Sequence, residues 1–110
     1  MEKDDYFVVA YRILAYLYAC MKEGGRPDMS KVSFQALNIP ERYWADVLES
    51  LSDEGYIKGV SIQGGMGDTV YVKMDKPKIT LAGIQFLQEN SAMARAKNAL
   101  KEFKEIVPGL

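Results

Sequence analysis

The chain predicts an α+β fold with one core: three helices, then a β-hairpin, then closing helices. Three observations predict it. Apolar residues recur at three- and four-residue steps through the first half, alternate singly from Tyr56 onward, and return to helical spacing after Pro77. With 110 residues, the chain is one folding unit's worth, so residues 1–110 are expected to form a single domain. Apolar residues make up 48% and charged residues 26%, close to ordinary globular usage, which excludes a disordered or fibrous chain.

The first helix is expected from Tyr6 to Met21, capped by Asp4 or Asp5 and stopped by Gly24-Gly25. Its spacing places Phe7, Ala10, Leu14, Leu17 and Met21 toward the core, with Arg12, Ala15, Ala19 and Lys22 on the other side. The run is very apolar, yet it falls short of the roughly 20 residues a bilayer span needs, and it contains Arg12. The acidic start Met-Glu-Lys-Asp-Asp is the wrong charge for a secretory signal. Leu17-Tyr18-Ala19-Cys20 has the outline of a lipoprotein cleavage box, but Tyr18 is bulky where a small residue is needed. No membrane association and a cytoplasmic location are expected.

Arg26-Pro27-Asp28 is a turn cluster, and Met29 to Val32 is expected as a very short strand. Ser33 caps a short helix through Leu37, Asn38 suits the left-handed residue that ends it, and Pro40 suits the start of the next. Two helices meeting across Asn38-Ile39 is helix-turn-helix punctuation. The second runs to about Glu54 and stops at Gly55, with Trp44, Val47, Leu48 and Leu51 as its core stripe. Alternation then puts Ile57, Gly59 and Ser61 on one side of a strand and Tyr56, Lys58, Val60 and Ile62 on the other. A glycine-rich turn at Gly64-Gly65-Met66-Gly67 leads to a second strand from Thr69 to Met74, with Pro77 ending the hairpin. Thr80 caps a helix containing Leu81, Ile84, Phe86 and Leu87, in which Gly83 would let another backbone approach closely, and Glu89-Asn90-Ser91 breaks it. A last helix is expected over residues 92–107.

The residues also exclude chemistry. There is no histidine and one cysteine, Cys20, which removes histidine-based triads, His-rich zinc sites and internal disulfides. Gly64-Gly65-Met66-Gly67 lacks the Gly-Lys-Ser/Thr ending of a phosphate loop. Asp4-Asp5 and Asp53-Glu54 read as a helix cap and a helix end, and Cys20 as a small buried hydrophobe. The first-helix tyrosines Tyr6, Tyr11, Tyr16 and Tyr18 read as packing at the core and its rim. No catalytic residue, cofactor or metal is expected, so the chain is read as a binding protein and not an enzyme.

The element order describes a winged helix-turn-helix, a three-helix core with a β-hairpin wing plus C-terminal helices. Leu51-Ser52-Asp53-Glu54-Gly55-Tyr56-Ile57-Lys58-Gly59-Val60 and Ile79 to Asn90, ITLAGIQFLQEN, with the closing stretch Lys97 to Val107, resemble the YjcQ-like family. The resemblance covers nearly the whole chain from about Tyr6. It implies a small winged-helix protein of Gram-positive bacteria or their phages, to which no catalytic residues are ascribed. It carries over a fold and a leaning toward nucleic-acid binding and transcription regulation, without assigning a site.

Charge does not favour a conventional DNA-reading helix. The outward face from Pro40 to Glu54 carries Arg42 against Asp46, Glu49 and Asp53, which phosphates would repel. Residues 1–55 hold six basic and ten acidic side chains, whereas residues 56–80 hold four and two. Positive charge thus gathers on the hairpin, at Lys58, Lys73, Lys76 and Lys78, where a wing touches DNA; Lys31, Ser33, Gln35 and Arg42 add candidate contacts. The expected partner is duplex DNA, bound weakly or with help. The alternative is a basic protein partner met by the acidic helix, with the wing lysines serving only to discourage strand-to-strand aggregation.

In the last helix Met93, Ala96, Leu100 and Phe103 form a heptad-like seam of about two heptads. Such a seam either packs on the domain's own first helix or pairs two copies. A dimer predicts a sedimentation coefficient that rises with concentration; a concentration-independent monomer leaves only self-packing.

Overall fold

A computed structural model describes residues 4–64 and 70–90. Helix α1, Tyr6–Glu23, begins where the Asp5 carboxylate accepts from the Phe7 N–H at 2.9 Å. It ends at Gly24, whose left-handed φ of 75° lets the Gly24 and Gly25 N–H groups reach the Met21 and Cys20 carbonyls. The buried stripe is Val9, Ala10, Ile13, Leu14 and Leu17, turned from the expected one: Phe7 is 60% exposed and Met21 40%. A helix apolar on nearly every side offers several faces at helical spacing, and packing chooses among them. The first-helix tyrosines sit half-buried around the core, as the sequence implies.

The expected strand at Met29 to Val32 is instead a single turn of 3-10 helix, Met29–Val32. Asp28 causes it, because its carboxylate accepts from both the N–H and the hydroxyl of Ser30 and folds the backbone back on itself. Ser33 then caps α2, Phe34–Leu37, and Asn38 ends it at φ 59°, both as expected. Helix α3, Glu41–Asp53, buries Trp44, Ala45, Val47, Leu48 and Leu51. The Trp44 indole N–H donates to the Val32 carbonyl at 2.8 Å in the interior and its ring lies 5.7 Å from that of Phe34, so one side chain fastens the 3-10 turn, α2 and α3 together.

Strands β1, Ile57–Gly64, and β2, Val70–Ile79, pair antiparallel as a two-stranded sheet. Simple alternation fails at Gly59. Lys58 pairs with Lys78 but Val60 pairs with Met74, so β2 carries extra residues around Asp75 to Pro77. Gly59 has φ 84°, and a Cβ there would strike the backbone oxygens of Asp75 and Lys76. As a result Ile57 and Val60 are both buried, and the expected grouping of Val60 and Ile62 with Lys58 is reversed. Pro77 does not end the hairpin; it sits in the bulge, where no ladder N–H is needed, and β2 continues to Ile79.

A helix, α4, follows over residues 81–90, continuing through Glu89 and Asn90 where a break was expected. Asn90 makes this possible by donating from Nδ2 to the Phe86 carbonyl. Thr80 caps α4 by accepting from the Gly83 N–H, while its own N–H and hydroxyl donate to the Tyr56 and Gly55 carbonyls. A Cβ at Gly83 would collide with the Tyr56 carbonyl and the Ile79 side chain, so the close approach expected of this glycine is real. The whole arrangement is an α+β winged helix. The seam residues Met93, Ala96, Leu100 and Phe103, the expected helix 92–107 and most of the glycine turn lie outside the described residues.

Gly59→Ala and Gly83→Ala are each expected to cost about 2 to 4 kcal/mol, one by strain and collision and the other by collision alone. Gly24→Ala, left-handed but in open space, should cost only about 1 kcal/mol. Urea unfolding of the three variants checks this ranking.

Candidate nucleic-acid interface

The bulge decides which hairpin side chains meet solvent. From Ile57 to Val60 on β1 and from Ile79 to Met74 on β2 the step is odd, so both strands change parity together. Inward lie the pairs Ile57 with Ile79, Val60 with Met74 and Ile62 with Val72, buried or half-buried. Outward lie Lys58 with Lys78, Ser61 with Lys73 and Gln63 with Tyr71, of which the tyrosine is 60% exposed. Three of the predicted wing lysines therefore share one exposed face. Lys58 and Lys78 stand directly opposite each other, a like-charge pair that destabilises the sheet slightly and is relieved by an anion.

Lys76 leaves that face. It occupies the bulge at φ 53°, a left-handed conformation rare for a lysine. There it joins Lys78 and Arg26 around a cleft of about 460 Å³ between the end of α1 and the bulge. Arg26 was read from sequence only as part of a turn. No pattern in the chain marks its approach to Lys76, fifty residues on, because the bulge itself brings them together.

The helix-turn-helix candidates are dispersed. Lys31 and Gln35 are exposed on the 3-10 turn and α2, and Arg42 on the first turn of α3. Ser33 is half-buried, and its hydroxyl is already engaged, accepting from the Ala36 N–H and donating to the Ser30 carbonyl. Asp46, Glu49 and Asp53 are all exposed on α3, so the face that enters a groove in other helix-turn-helix proteins is acidic here.

Cys20 is half-buried beside Tyr16, less enclosed than expected. Hydrogen bonding with its thiol is the main cause that holds the Tyr16 phenol above its ordinary pKa, while the phenol oxygen accepts from the Asp28 N–H at 2.8 Å. Tyr43 is raised by partial burial and by the nearby Asp4 and Asp5, and donates to the Asp4 carbonyl. Among the described residues no group of His, Cys, Asp or Glu is placed to hold a metal ion, and no helix is long and apolar enough to cross a membrane.

The family model described as YjcQ protein matches residues 11–106. No curated protein and no solved structure matches the chain.

The Ser30 hydroxyl and N–H hold the Asp28 carboxyl below the ordinary aspartate range. A depressed folded pKa means a stabilising contribution present above the unfolded value and lost as pH falls through the folded one. An NMR titration should find the Asp28 midpoint low, and Ser30→Ala should move it back up.

Proposed function

The chain belongs to the YjcQ protein family, and on that footing we propose that it is a non-enzymatic winged-helix binding protein, a prophage-type regulator or accessory factor with weak or partner-assisted affinity for duplex DNA. The observation that carries the reading is the shared outward face of Lys58, Lys73 and Lys78 on the hairpin. Three ammonium groups on one face, with Ser61 and Gln63 as hydrogen-bonding neighbours and the exposed ring of Tyr71, suit a phosphate-sugar backbone. Contacts of this kind position a protein on DNA and select little sequence. Selection would ordinarily come from α3, whose Asp46, Glu49 and Asp53 oppose entry into a phosphate-lined groove.

The same acidic face supports a second reading. Three exposed carboxylates on one helix are complementary to a basic surface, so the domain would recognise a protein such as a DNA-binding partner and leave DNA untouched.

Fluorescence anisotropy of a mixed-sequence duplex separates the two. Under the DNA reading, log K falls with log salt at a slope of about -3, the value for three neutralised phosphates. Lys58→Glu with Lys73→Glu should abolish binding, and Asp46→Asn with Glu49→Gln should tighten it about threefold. Absence of binding at low salt removes the DNA reading and leaves the protein partner.

A further inference from the structure

The cleft between α1 and the bulge has a composition that a phosphate backbone would not use. Leu17 and Met21 of α1 line it together with Pro27 and Pro77, while the charged lining is wholly cationic: Arg26, Lys76 and Lys78. Met21, an apolar side chain left 40% exposed, opens onto it. The geometry points to a docking site for an acidic peptide segment of a partner protein, one that seats an apolar side chain beside the prolines and sets carboxylates against the three cations.

Charge complementarity carries the choice of occupant. The carbonyl end of α1 borders the cleft and by itself disfavours anions. Two of its terminal carbonyls, those of Cys20 and Met21, are already capped by the Gly25 and Gly24 N–H groups, and three full positive charges outweigh the remaining partial ones. DNA would meet the cations but leave the exposed part of Met21 and the two prolines unused. A partner segment with both features uses the whole lining, which is how apolar anchors and charged rims divide the work in protein interfaces. The left-handed backbone of Lys76 places this residue at the cleft and not on the outward face of the hairpin.

This site shares Lys78 with the DNA-binding face, but Lys58 and Lys73 do not line it and Arg26 does not lie on the hairpin, so substitutions at those positions tell the two apart. The experiment titrates the full chain into a fluorescent peptide with a central Leu-Phe pair flanked by glutamates. Two control peptides replace the glutamates by lysine or the Leu-Phe pair by serine. Saturable binding of the first alone is expected. Arg26→Gln and Lys76→Gly should each weaken it about threefold and together about tenfold, glycine at position 76 being able to keep the left-handed backbone. Lys73→Glu should leave it unchanged while weakening duplex binding. Equal binding of the lysine or serine peptide, or indifference to the cleft substitutions, overturns the proposal. So does displacement of the peptide by a simple fatty-acid carboxylate, which would make the cleft a small-molecule site.

Discussion

Position 59 governs the exposed chemistry of this domain. Only a residue without a side chain lets the Asp75 and Lys76 backbone lie against β1, and that contact is what inserts the bulge into the hairpin. A hairpin with unbroken alternation from Ile57 and Ile79 would turn Val60 and Met74 outward and Lys73 toward the core. Apolar burial and charge display are thus settled by one steric fact. The bulge also sends Lys76 away from Lys58 and Lys73 to Arg26, so the wing has a cationic face and a cationic cleft that meet at Lys78.

The second constraint is at the hairpin's base. Thr80 joins three elements at once, bonding to the carbonyls of Gly55 and Tyr56 while capping α4, and Gly83 lets that helix sit against the same Tyr56 carbonyl. The Tyr56 and Phe86 rings, 5.0 Å apart, close the junction from the other side. On the opposite flank of α3, the Trp44 indole bond to Val32 performs the equivalent task for the helix-turn-helix.

Much of the local chemistry was readable from the chain because its cause was local. The caps at Asp5, Ser33 and Thr80, the left-handed Asn38 and the stripe on α3 all follow from side chains acting within one turn of themselves. Two readings, the core face of α1 and the hairpin register, failed for the opposite reason, and two more, the strand at Met29 to Val32 and the break at Glu89-Asn90, failed although their causes are local. The core face of α1 depends on which neighbours arrive, since Val9 and Ile13 compete with Phe7 and Met21 on equal hydrophobic terms. The 3-10 turn rests on bonds from the Ser30 N–H and hydroxyl to the Asp28 carboxylate, which a strand-like composition conceals. The hairpin register depends on a glycine opposing two extra residues that lie sixteen and seventeen positions away, and periodicity within either strand does not reveal it. The lysines of the wing were recognised by composition, whereas their division between face and cleft required the register.

Burial along the inward face of the hairpin falls from base to tip: Ile57 and Ile79 are enclosed, Ile62 and Val72 half-enclosed, and Gly64 exposed. Mechanically this is a cantilever, built in at the Thr80 junction and increasingly unsupported outward. Lys58 and Lys78 sit near the fixed end of the arm. Lys73 and Tyr71 sit farther along the arm, where a small rotation at the root becomes a larger displacement. A surface that met this wing would be gripped at a fixed point by the inner lysines and followed in its curvature by the outer residues.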